Sequence, residues 1–287
     1  MSGFLSRISD LLQQIGESVR SELGGRLSDD TIEGTPGHDR LFGGVGNDVL
    51  GPTGAGNDLA VGGVGDDTIT GGIGLDVLAG NSGDDLLLST EGAGGVTLMF
   101  GGDGRDRLIA GLGDNLMFGG NGDDTLIGGG GYLDIAVGGD GSDILNTGTG
   151  VGVHIGGPGS DLFAVGPEIA GNRSPDVVIA LDFVPGVDRV QIAPEVVASI
   201  VSIEDGALDF TGVLGLLRRH GVFSGDVSGR VSEAGEAPVE DQMAVLLSVE
   251  SAPPAGAAVA NGALATTAEG DLLFFAGITA AQLDQLV

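Results

Sequence analysis

Aspartate occupies the sixth place of one nine-residue segment after another: GGVGNDVLG at 43–51, GGVGDDTIT at 62–70, GGIGLDVLA at 71–79, GGDGRDRLI at 101–109 and GGNGDDTLI at 119–127. A carboxylate fixed in a glycine turn is an oxygen ligand for a cation. The chain has no cysteine and 3 histidines among its 287 residues, so carboxylates are its only abundant metal-ligating side chains. It carries 41 acidic residues against 11 basic ones, all arginine, for a formal charge of −30. Such a charge repels nucleic acid and anionic membrane surfaces and implies a cationic partner. Without lysine, the glycine-rich loops cannot be phosphate-binding P-loops.

Reaction chemistry finds no comparable footing. There is no HExxH helix, no GxSxG elbow and no cysteine nucleophile. His38 falls in a turn, His154 in a strand-like segment and His220 beside Arg218 and Arg219, and each is expected to be structural. The chain is therefore expected not to be an enzyme.

The elements that position the aspartates follow from the repeat itself, G-G-x-G-x-D-x-U-x with U apolar. Glycines permit φ > 0 and a tight turn, the last three residues alternate as a short strand does, and the apolar eighth residue points inward. Each nonapeptide is thus a turn plus a strand. Apolar content of 41% with 58 glycines suits a packed repeat architecture rather than a disordered acidic tail.

These units resemble the calcium-binding nonapeptides of the RTX (repeats-in-toxin) family. The resemblance implies an all-β fold, a parallel β-roll of two short parallel sheets with calcium-binding turns. Two nonapeptides complete one coil, and loop carbonyls with the sixth-place aspartates hold several Ca²⁺ ions between neighbouring coils, as a hard cation requires. Alternate repeats then share an edge. One edge carries Asp30, Asp48, Asp67, Asp85, Asp106, Asp124, Asp143 and Asp161 without a gap. The other begins with Asp39, Asp58 and Asp76, then has Thr97, Asn115, an Asp134 delayed by one residue in the lengthened 128–137 segment, and Gly152. One complete calcium ladder and one that fails after its third loop are expected.

Behind the failing edge, places seven and nine should face outward, and they are apolar: Leu98 and Phe100, Leu116 and Phe118, Ile135 and Val137, Val153 and Ile155. Seven such strands would make a strip of roughly 300 Å², about as large a patch as a soluble monomer tolerates. The chain's own N-terminal or C-terminal segment is the expected cover, with self-association or a lipid contact as the other uses.

Three regions are expected. Residues 1–24, with Phe4, Ile8, Leu11, Leu12, Ile15, Val19 and Leu23 at helical spacing, form an amphipathic cap. Residues 25–164 form the roll. Residues 165–287 form a β-rich closing module in which 163–193 resembles the run that ends many RTX rolls, through Asp176, Asp182, Phe183, Gly186 and Asp188. Segments 224–240 and 251–262 look like loops, and Thr279 with Gln282 suggests a capping box for a last helix. The tail, 270–287, resembles that of type I secretion substrates. The resemblance implies a secreted, extracellular protein, engaged by a type I ABC exporter at its C-terminal region, with a role in surface or matrix interaction. A membrane-associating small RTX protein and a C-terminal enzymatic module on an RTX scaffold are the alternatives. The regular outward threonine ranks that an ice-binding face would need are sparse.

Overall fold

The computed structural model describes residues 21–24, 27–51, 54–89, 95–131, 133–146, 148–169, 176–209 and 259–285. The chain winds between two sheets. Short strands at Thr31–Ile32, Val49–Leu50, Thr68–Thr70, Leu86–Leu88, Arg107–Ile109, Thr125–Ile127, Ile144–Asn146, Leu162–Val165 and Arg189–Ile192 stack in sequence order as a 9-stranded parallel sheet. The intervening strands, among them Asp39–Val45, Leu59–Val64, Ile73–Ser82, Val96–Asp103, Asp114–Asn121, Leu133–Asp140 and Val151–Ile155, stack opposite them in a 13-stranded sheet. This is a parallel β-roll.

The nine-residue beat produces this winding because the eighth residue always turns inward. Leu41, Ala60, Leu78, Met99, Met117 and Ala136 from the longer sheet meet Leu50, Ile69, Leu87, Leu108, Leu126 and Leu145 from the shorter one in one fully buried core. At most turns of the shorter sheet's edge the fourth-place glycine is left-handed, as at Gly65, φ 131°. A methyl group on Gly65 would collide with the Gly46 carbonyl of the preceding coil, so the position needs glycine for both backbone conformation and coil-to-coil approach.

The outward strip behind the second edge is buried within the single chain. Leu98, Phe100, Leu116, Phe118, Ile135, Val137 and Val153 are 1–6% exposed, and Phe100 stacks on Phe118 with ring centroids 5.2 Å apart.

The longer sheet continues past residue 164 without interruption. Val177–Ala180 pairs parallel with Val151–Ile155 and with Leu272–Ala276, after which Val259–Thr267 and Ile200–Asp209 add antiparallel strands. A separate core of Phe163, Val178, Phe183, Val196, Phe275 and Leu283 joins the last coil to this extension. The turn at Pro185 and Gly186 forms, with Gly186 at φ 82°. Helix α1, Pro194–Ser199, and helix α2, Ala280–Leu283, are short. Thr279 and Gln282 make the expected capping box on α2.

Two expectations need correction. The helix over 1–24 fails at its end, where Ser21–Gly24 is a strand paired in register with Asp39–Phe42. The open edge of Asp39–Phe42 offers those four residues backbone partners along one side, and pairing there wins over their place in a helical pattern. The rest of that helix lies outside the described residues. The loop expected over 251–262 also runs too far, since Val259–Thr267 is a strand. The loop over 224–240 lies outside the described residues. No helix among the described residues is long and apolar enough to cross a membrane.

Candidate metal centre

Each turn of the first edge places its aspartate at the mouth of a short strand, and coil stacking brings consecutive aspartates together. The backbone N–H of Asp48 donates to Oδ1 of Asp67 at 2.7 Å, Asp67 to Asp85 at 2.7 Å, and Asp85 to Asp106 at 2.8 Å. Asp106 donates to Asp124 at 2.7 Å, Asp124 to Asp143 at 2.8 Å and Asp143 to Asp161 at 2.9 Å. Asp30 starts the row by donating to Asp48 at 2.7 Å. Each rung's own carbonyl also accepts from the next coil, as Asp67 does from the Leu86 N–H at 2.8 Å.

The second carboxylate oxygen has no such place. Oδ2 of Asp48, Asp67, Asp85, Asp106, Asp124, Asp143 and Asp161 is buried and takes no hydrogen bond. A methyl group on Gly119 would meet both Asp124 Oδ2 and the Gly138 carbonyl oxygen, and one on Gly101 would meet Asp106 Oδ2 and the Gly119 carbonyl. A carboxylate and a carbonyl thus share a small space with no donor between them. Burying such an oxygen unpartnered is costly. Burial first, then neighbouring carboxylate charge, pushes Asp85 and Asp124 up to about 8 and Asp143 up to about 7. A cation answers both problems. Among the described residues no three His, Cys, Asp or Glu side chains gather into a cage, so backbone carbonyls must complete the coordination, which suits an oxygen-seeking ion such as Ca²⁺.

A parallel row lies outside this one. Asn47 donates its N–H to Asp29 Oδ1 at 2.8 Å, Asp66 to Asn47 Oδ1 at 2.9 Å, Asp84 to Asp66 Oδ1 at 2.9 Å and Arg105 to Asp84 Oδ1 at 2.8 Å. Arg105 also places its guanidinium 2.8 Å from Asp84 Oδ2.

On the second edge Asp39, Asp58 and Asp76 are brought together as expected, Asp39 donating to Asp58 at 2.8 Å and Asp58 to Asp76 at 3.1 Å. Asp39, however, accepts from Thr35 at both oxygens, and Asp76 Oδ2 accepts from the Gly72 N–H at 3.0 Å. His38 serves this edge as an acceptor for the Asn57 N–H at 2.8 Å. Asp134 is not out of step. Its strand pairs Asn115 with Asp134, in line with Thr97 and Asp76, so the extra residue is absorbed before it.

The first ladder also extends beyond the repeats. Asp161 donates to Asp188 Oδ1 at 3.0 Å, and the Val184 N–H closes Asp188 Oδ2 at 2.7 Å. On the second edge Gly150 donates to Asp176, and Asp176 to Asp271 at 3.0 Å. Neither extension follows the nine-residue beat, although Asp176 and Asp188 stand in the run that resembles a roll ending.

Coil, turn and unpartnered oxygens together define a cation-binding parallel β-roll. The profile of the RTX calcium-binding nonapeptide repeat matches four copies in this chain, over residues 25–50, 52–87 and 100–132. The chain carries RTX calcium-binding repeats, and the same coil geometry continues past the matched segments to Asp161. No curated protein and no solved structure matches the chain.

Proposed function

We propose that this calcium-binding roll is a secreted, non-enzymatic protein that remains open in the calcium-poor cytosol and closes on meeting millimolar calcium outside, where it contacts a surface or matrix. The observation that carries this reading is the row of seven buried Oδ2 atoms without a donor. Without metal, the folded state must confine those charges at strand spacing. With metal, binding to the folded state alone stabilises it by mass action. The likeness of residues 270–287 to type I secretion tails supports export through an ABC exporter. The exposed Asp66, Asp84, Asp103, Asp123 and Asp140 on the calcium edge support a contact made there through bound cations.

Circular dichroism and size-exclusion chromatography in excess chelator, then in about 5 mM calcium, above the weak extracellular binding range, test the switch. The expected result is an expanded chain that becomes compact and strand-rich. A compact fold in chelator, unchanged by calcium, refutes it. Export predicts that the protein reaches the culture supernatant and is retained when residues 270–287 are deleted.

A further inference from the structure

The second edge departs from the first in how its oxygens are satisfied. Asn115 is fully buried, and its side-chain Nδ2 donates to the Gly113 carbonyl at 2.7 Å and to Asp134 Oδ1 at 2.8 Å. With two acceptors before it, the amide must present nitrogen there. The Gly129 N–H donates to Asp134 Oδ2 at 2.8 Å, so both oxygens of that carboxylate are served by the protein. One NH₂ group therefore joins a loop carbonyl of its own coil to a carboxylate of the next, whereas on the first edge the carboxylate Oδ2 and the neighbouring carbonyl have no donor between them. Its own Oδ1 takes no donor, but a single neutral oxygen is a weak lure for a divalent ion.

The neighbouring turns agree. Asp76 accepts at both oxygens, and Thr97 shares a hydrogen bond with Ser89 at 3.0 Å. Gly152 has no ligand to offer.

We propose that from Asp76 to Gly152 the second edge holds no calcium, and that the donating amide of Asn115 stands in place of the ion, leaving metal over that stretch of the roll to the first edge. This rests on the calcium-binding reading of the first edge. Native mass spectrometry of the full chain with calcium counts the bound ions. Asp67→Asn is expected to lower the count, Asp134→Asn to leave it unchanged, and Asn115→Asp, which sets two carboxylates together without the bridging NH₂, to add an ion. If Asp67→Asn does not fold, Asp161→Asn at the last coil is the same control. Loss of ions in Asp134→Asn or Asp76→Asn, matching that in Asp67→Asn, overturns the inference, as does an Asn115→Asp chain that gains no ion or fails to fold in calcium. A parent that binds no calcium refutes the calcium-binding reading itself.

Discussion

Replacing Asp124 by asparagine should change the sign of its effect with calcium. Asp124 is 1% exposed, accepts from the Asp106 N–H at 2.7 Å and leaves Oδ2 beside the Gly138 carbonyl. Burial, reinforced by the charges of Asp106, Asp143 and Asp123, pushes its carboxyl up to about 8 from an ordinary 3.8. At pH 7 the unfolded group is ionised, and every tenfold rise in proton affinity costs the ionised form ~1.4 kcal/mol, so the metal-free fold bears a penalty of about 4 kcal/mol at this position. Water and salt reduce it to roughly 2–4 kcal/mol. The asparagine side chain in Asp124→Asn keeps the Oδ1 acceptor, removes the charge and aims an NH₂ at the Gly138 carbonyl, just as the buried Asn115 amide donates to a backbone carbonyl on the second edge. In chelator the variant should therefore fold at a lower concentration of a stabilising osmolyte than the parent, by far-UV circular dichroism. In calcium it lacks a charged ligand, and its calcium midpoint should rise. A variant less stable than the parent in both conditions would show that the open oxygen carries no penalty and would refute the argument from unpartnered carboxylates.

Acid should substitute for calcium. Asp85 and Asp124 at about 8, and Asp76 and Asp143 at about 7, lie above their unfolded value of 3.8, so their contribution is full below 3.8 and disappears as pH rises through 7–8. In chelator, strand content by circular dichroism should climb as pH falls from about 8 toward 5, and a flat profile would contradict this. His154 opposes the trend: it is buried at an inward place with Nδ1 unpartnered, and burial lowers it to about 4 from 6.5. Its contribution is present above 6.5 and lost as pH falls toward 4. In calcium-saturated urea melts, His154→Met should gain on the parent by about 2 kcal/mol between pH 7 and pH 5, and an equal difference at both would count against it.

The roll and its first edge were legible because a fixed beat converts position directly into place. Once Gly119 is a turn, Asp124 must lie at its mouth and Leu126 must point inward. Where the beat stretches, spacing stops reporting register. Asp134 looks displaced in the sequence because the extra residue in 128–137 can be assigned before or after it, and only pairing with Asn115 decides. Asp188 and Asp271 extend the two edges across 27 and 95 residues respectively, separations set by long-range packing rather than local pattern. Likewise, the composition of the second edge discloses that aspartates are missing, but not that an amide has taken over the contact.

The two rows of side chains on the first edge lean in opposite directions. In the inner row each aspartate reaches back to the N–H of the coil before it, as Asp85 does to Asp67, whereas in the outer row each reaches forward, as Asp66 does to Asp84. Together they brace a coil junction as crossed diagonals brace a frame, so that sliding one coil past its neighbour in either sense must stretch one of the two. Because such bracing joins nearest neighbours only, a pull along the axis would load the junctions in series, and the frame would give way at one joint while the others kept their shape.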